Sequence, residues 1–208
     1  MDSLSHIGKG ILLINIILFS IQHLSKKGVH SLFLVYLIFI FIIEVVSNVF
    51  YIKKINNLFL SHYYFIGQFL LLGIFFYQIL IEKYQKKIAF LSLVTISLVL
   101  IVQYSLDPKI YYTFNLFEIF ITSYSIIILA LFHLYNLLAN KKEYYYITLG
   151  LLLYLISSTA IFLSGNLYTI MNKQMHKEIW IFNVLMFILY QIFILIEWLV
   201  NYRKAINK

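Results

Sequence analysis

The chain has 208 residues, 62% of them hydrophobic and 19% aromatic but only 12% charged, with one proline and no cysteine. A water-soluble domain carries roughly a quarter of its residues as charges, so this composition excludes an ordinary globular core. The formal net charge of +8 comes almost wholly from lysine, with Arg203 the one arginine. These lysines fall in short gaps between apolar runs, where membrane proteins place positive charge. No aromatic–basic motif or basic helix face is visible, and direct nucleic-acid binding is not expected. Without cysteine there can be no disulfide, thiol catalysis, cysteine-based metal site or lipid attached at cysteine.

Apolar runs long enough to cross a bilayer recur along the whole chain. Cutting at "SKKGVH", "KKINN", "EKYQKK", "LDPK", "ANKKE" and "MNKQMHK" predicts seven spans: 5–24, 31–52, 59–81, 88–106, 110–138, 144–170 and 178–201. The first is interrupted by Asn15 and Gln22. It is followed by "QHLSKKGVH" and by no small-x-small cleavage site, so it reads as a retained helix. In the second, Glu44, Ser47, Asn48 and Tyr51 share one helical face. The third offers His62, Tyr64 and Gln68, and the fourth ends in Gln103 and Tyr104. Pro108 lies in the next gap, where a reversal needs no backbone donor. The fifth carries Asn115, Glu118, Thr122 and Ser125 as a stripe, then His133, which reads as a core histidine. The sixth holds Ser157, Ser158 and Asn166; the seventh holds Asn183, Gln191 and, near Arg203 and Lys204, Glu197, which reads as an interfacial ion pair. No linker divides the chain. The expectation is an all-α, polytopic membrane helix bundle forming one transmembrane domain over 1–208.

Alternate connections hold Lys9; Lys53 and Lys54; Lys109; Lys173 and Lys177 on one side. The other side holds Lys26 and Lys27; Lys83, Lys86 and Lys87; Lys141 and Lys142; Arg203, Lys204 and Lys208. That bias predicts an outward N-terminus and a cytoplasmic C-terminus in a bacterial inner membrane. Under this topology Glu44, Asn48, His62, Gln68, Glu118, Thr122, Asn166 and Asn183 can gather as one polar cavity nearer the outer face. Tyr63, Tyr64, Tyr111, Tyr112, Tyr168 and Trp180 would rim it. The alternative for the neutral residues is interhelical glue, and for the rim aromatics interfacial anchoring. Buried acids are rarer, because a charge at mid-membrane costs about 2.5–3.5 kcal/mol on insertion scales.

No span has a lysine at depth for a Schiff base, and no HExxH, GxSxG, SxxK, P-loop or GxxxG pattern occurs. "MHKEIW" sets His176 and Glu178 on different helix faces, so no metal is expected, nor any other cofactor. No catalytic residue is assigned.

Four segments resemble a family of small seven-helix integral membrane proteins common in Bacteroidota. They are "NLFLSHYYFIGQFLLLGIFFYQIL" (Asn57–Leu80), "TFNLFEIFITSYSIIILALFHLYNLL" (Thr113–Leu138), "YYITLGLLLYLISSTAIFLSGNLY" (Tyr145–Tyr168) and "IWIFNVLMFILYQIFILIEWLV" (Ile179–Val200). In that family's pattern an acid in the fifth helix matches Glu118 and an amide in the last matches Asn183, whereas a third-helix glutamate is replaced here by Gln68. The resemblance implies an inner-membrane protein that senses beside a histidine kinase. Size and bacterial source also resemble membrane accessories of phage defence, including those of type VI-B CRISPR effectors.

Three readings follow. The first is a non-enzymatic sensor that binds a small or lipid-like ligand from outside and signals through a partner protein or a homo-oligomer. The second is a pore-forming or partner-anchoring defence component. The third is a lipid-acting enzyme or carrier, which requires Glu44, His62 and Glu118 to converge around a cavity.

Overall fold

The computed structural model describes the backbone of residues 2–25, 29–139, 143–163 and 173–201. Among these residues there are seven α-helices and no strand. They are α1 (Asp2–Ser25), α2 (Val29–Ile52), α3 (Leu60–Ile79), α4 (Lys83–Leu106), α5 (Leu116–Asn136), α6 (Tyr145–Leu163) and α7 (Lys173–Asn201). Each contains a span of 18 residues or more with mean hydropathy between 1.3 and 2.5, long and apolar enough to cross a membrane. That is the make-up of a multi-pass membrane protein.

The fifth helix is shorter than the sequence pattern predicts. Pro108–Tyr112 forms a separate 3-10 turn, and α5 begins only at Leu116. The Asp107 carboxylate accepts from the Lys109 backbone N–H to start the turn, and Pro108 fits its first position because no donor is needed there. Asn115 therefore stands before the helix instead of on its stripe. Its side-chain oxygen accepts from the Glu118 N–H at 3.2 Å, the capping bond that starts α5.

The chain divides into two compact units, residues 27–133 and residues 1–26 with 134–208. In the first, α2 to α5 run alternately up and down. Tyr36 meets Gln68, Phe33 meets Phe75 and Phe50 meets Phe59, which sets α2 antiparallel to α3. Gly67 lets the ring of Phe39 lie against the α3 backbone; a Cβ there would sit 2.2 Å from Phe39 Cζ. His133 is buried near the end of α5 with its ring 6.1 Å from that of Phe76.

In the second unit α6 and α7 form an antiparallel pair. Tyr154 stacks on Tyr190 at 5.7 Å and 5°, and Gly150 admits Phe193 so closely that a Cβ would fall 2.5 Å away. α1 runs parallel to α7. Asn15 Nδ2 donates to the Gln191 backbone oxygen (2.9 Å) and Oε1 (3.1 Å), and Trp198 Nε1 donates to the Leu18 carbonyl at 3.2 Å. The amide that interrupts the first span thus ties it to the last.

Arg203 and Lys204, the cations expected to pair with Glu197, lie outside the described residues; the described partners of Glu197 are of another kind. The carboxylate is fully buried and accepts from the backbone N–H of Tyr144 (2.7 Å) and Tyr146 (2.9 Å), and from Asn201 Nδ2 at 2.6 Å. It caps the N-terminus of α6 from α7, satisfying donors that the helix itself leaves open. Glu197→Ala should destabilise the protein by about 2–4 kcal/mol, because it strands two buried N–H groups. Glu197→Gln, which keeps one acceptor, should lose about half as much. Unfolding of the purified protein in mixed micelles with rising SDS measures both.

Candidate functional site

One group of polar side chains in residues 27–133 gathers at the end of that unit where α3 and α5 begin and α4 ends. At the centre is the Tyr104 hydroxyl. It donates to Glu118 Oε2 and lies 2.7 Å from His62 Nδ1. His62 Nδ1 is also 3.2 Å from Glu118 Oε1. Asn115 Nδ2 reaches the same hydroxyl at 3.5 Å and donates to Gln103 Oε1 at 3.1 Å. Glu118 is completely buried and His62 is 3% exposed. A buried carboxylate is tolerable only when hydrogen-bonded or neutralised. Here Tyr104 and His62 serve its side chain, and Glu118 is the third residue of α5, in the first turn after the Asn115 cap and near the positive end of the helix dipole.

A cavity of about 400 Å³ lies against this cluster. His62 and Tyr104 form its polar side; Phe39, Ile66, Gly67 and Leu70 line the rest, with Tyr63 and Tyr111 beside them. Tyr63 and Tyr111 join hydroxyl to hydroxyl at 3.1 Å. The Tyr111 ring stacks on the imidazole of His62, with centroids 5.8 Å apart and planes at 28°. The bond to Tyr63, helped by burial, holds the Tyr111 phenol above its ordinary pKa.

The residues expected to form one cavity separate into distinct roles. His62 and Glu118 come together. Thr122 is buried but turns inward on its own helix, its hydroxyl donating to the Glu118 backbone carbonyl at 2.7 Å. Gln68 is buried two turns further along α3 and donates to Tyr36 Oη at 3.5 Å. Glu44 and Asn48 are half-buried on α2. The pairings of Tyr36 with Gln68 and Phe50 with Phe59 put Glu44 near the level of His62 along the helix axis. Ser47, from the same face, receives Asn57 Nδ2 at 3.0 Å, while Tyr51 is 69% exposed and leaves the cluster. Asn183 belongs to the other unit, half-buried on α7, and Asn166 falls outside the described residues.

Of the expected rim, Tyr63 and Tyr111 border the cavity. Tyr112 packs edge-on against Tyr111 but is largely exposed, and Tyr64 meets Phe65. Trp180 packs against Phe162 in the other unit, and Tyr168 lies outside the described residues. The residue that sequence reasoning passed over is Tyr104, which joins His62 to Glu118. Its signal was weak: a tyrosine at a helix end reads first as an interfacial anchor.

No family model, curated protein or solved structure matches the chain. The chemistry of the site therefore rests on its geometry. An imidazole, a phenol and a carboxylate in mutual contact form a short hydrogen-bonded relay beside a mostly apolar cavity. Among the described residues no three His, Cys, Asp or Glu side chains gather to hold a metal ion.

Tyr104→Phe should cost about 1–3 kcal/mol, because it removes the hydroxyl that meets both Glu118 and His62 and leaves them only their 3.2 Å contact with each other. Tyr63→Phe removes a hydroxyl on an exposed side chain and should change stability by less than about 0.5 kcal/mol. Thermal unfolding of the two variants in the same detergent compares them directly.

Proposed function

We propose that this chain is a multi-pass protein of the bacterial inner membrane. On this reading it binds a small amphiphilic ligand at the cavity beside His62 and transmits its occupancy to a partner protein or a second copy. One observation carries the reading: an apolar, aromatic-walled cavity with a hydrogen-bonding cluster on one side, the usual make-up of a small-molecule site. The lysine distribution supports an outward N-terminus, which puts the cavity near the outer face, and the resemblance to the Bacteroidota family supports sensing. The relay of His62, Tyr104 and Glu118 also favours a second reading, acid–base chemistry on a lipid-like substrate. The two differ in turnover: a sensor returns its ligand unchanged, whereas an enzyme does not.

Filling the cavity tests the binding reading without knowledge of the ligand. Small molecules extracted from the purified wild-type protein and from Ile66→Trp are compared by mass spectrometry. The wild type should retain a species in near-stoichiometric amount that the variant has lost; identical profiles would sink the proposal.

Orientation has its own test, and the absence of cysteine makes it clean. A membrane-impermeant maleimide applied to intact cells should label Lys53→Cys and leave Lys87→Cys untouched. The reverse pattern overturns the assigned topology.

A further inference from the structure

The positions of the protons in the cluster constrain what the cavity can hold. A phenol has one proton and two lone pairs. The Tyr104 proton goes to Glu118 Oε2, and its oxygen receives Asn115 Nδ2. His62 Nδ1, 2.7 Å from that oxygen and 3.2 Å from Glu118 Oε1, must then carry a hydrogen of its own. A neutral imidazole protonated at Nδ1 has a bare lone pair at Nε2.

His62 Nε2 is buried and has no hydrogen-bond partner among the described residues. Leaving a buried acceptor unmet costs about 1–3 kcal/mol, and such an atom in a folded protein calls for a reason. The other polar groups at the cavity are already engaged: Tyr104 as above, and Tyr63 and Tyr111 with each other. For the neutral ring the cluster thus holds one unmet acceptor, itself covered, on an imidazole that forms part of the cavity wall among aromatic and aliphatic side chains.

The surroundings select the rest of the ligand. The rings of Phe39, Tyr63, Tyr104 and Tyr111 favour a flat partner that can stack or meet them edge-on. Tyr63 is 51% exposed and Leu70 is 37% exposed, so the cavity opens on the surface of its helical unit where apolar side chains face outward. An opening framed by apolar side chains suits a ligand that partitions into lipid.

We infer that the cavity takes a membrane-soluble hydroxylated aromatic ring, of the hydroquinone type, whose O–H donates to His62 Nε2. The inference rests on the ligand-binding reading above and deepens it. Tyr111, stacked on the imidazole from the short turn before α5, is the group such a ligand displaces to reach the nitrogen.

The test uses the full chain in lipid nanodiscs with two probes of similar shape: tetramethylhydroquinone, kept reduced, and its dimethyl ether, which has no donor. The hydroquinone should bind the wild type at least tenfold more tightly than the ether. His62→Asn keeps a polar atom near the position of Nδ1 and deletes Nε2, so it should abolish that preference. In wild-type protein labelled with ¹⁵N-histidine, the hydroquinone should shift the Nε2 resonance of His62 while the ether does not. That readout stands even if His62→Asn fails to insert. Equal binding of both probes, lost together in Ile66→Trp, overturns the donor assignment and leaves the ligand-binding reading intact. An unshifted Nε2 resonance, or binding of neither probe, overturns the inference. The ligand-binding reading itself then fails only if the mass-spectrometric comparison with Ile66→Trp also shows no difference.

Discussion

Inside a hydrocarbon slab no water is at hand to satisfy an amide or a carboxylate, so each polar group of this chain needs a partner from its own protein. That constraint accounts for most of the specific contacts. Asn15 reaches Gln191 and ties α1 to α7; Glu197 caps α6 from α7; Gln68 reaches Tyr36 between α3 and α2. Apolar side chains cannot supply such direction, because lipid tails are as apolar as leucine and give no reason for one helix to prefer another. Close ring packing at Gly67 and Gly150 adds contact where a hydrogen bond is absent.

The cluster around Tyr104 obeys the same constraint with one exception. Its hydroxyl serves Glu118, His62 and Asn115 together, and the carboxylate is met by two residues, Tyr104 and His62, close to the start of its own helix. Only Nε2 of His62 is left over there. Orphaned amide atoms also occur in the other unit, at Asn15 Oδ1, at Gln22 and at Asn183 Oδ1. At His62 the unmet atom belongs to a ring that also lines a cavity.

Part of this was legible from residue order. Charged gaps delimited seven helices, since a bilayer sets their length, and acids within spans singled out Glu44 and Glu118. The face shared by Glu44, Ser47, Asn48 and Tyr51 was a correct use of helical period, yet Tyr51 emerges into the open and Ser47 turns to Asn57. Period fixes angle around one helix; it carries no information about where the neighbouring helix stops. For the same reason Asn115 looked like part of a helical stripe: the apolar run continues through it, and only the turn at Pro108–Tyr112 breaks the helix. Sequence offered Glu197 only its neighbours as partners, and Asn201 is one of them, but the backbone donors of Tyr144 and Tyr146 stand some fifty residues earlier in the chain.

The sequence by itself determined an all-helical chain with seven spans of bilayer length, because apolar run length and charged gaps are local properties. It also determined that a buried acid in the fifth helix had to find partners, since desolvation of a carboxylate does not depend on the fold. Tertiary structure alone decided which partners those are. Tyr104, His62 and Asn115 come from separate elements, and only the antiparallel return of α4 against α3 and the start of α5 bring a phenol between an imidazole and a carboxylate. Which nitrogen of His62 stays unmet, and that a cavity lies beside it, follow from that packing and from nothing shorter in range.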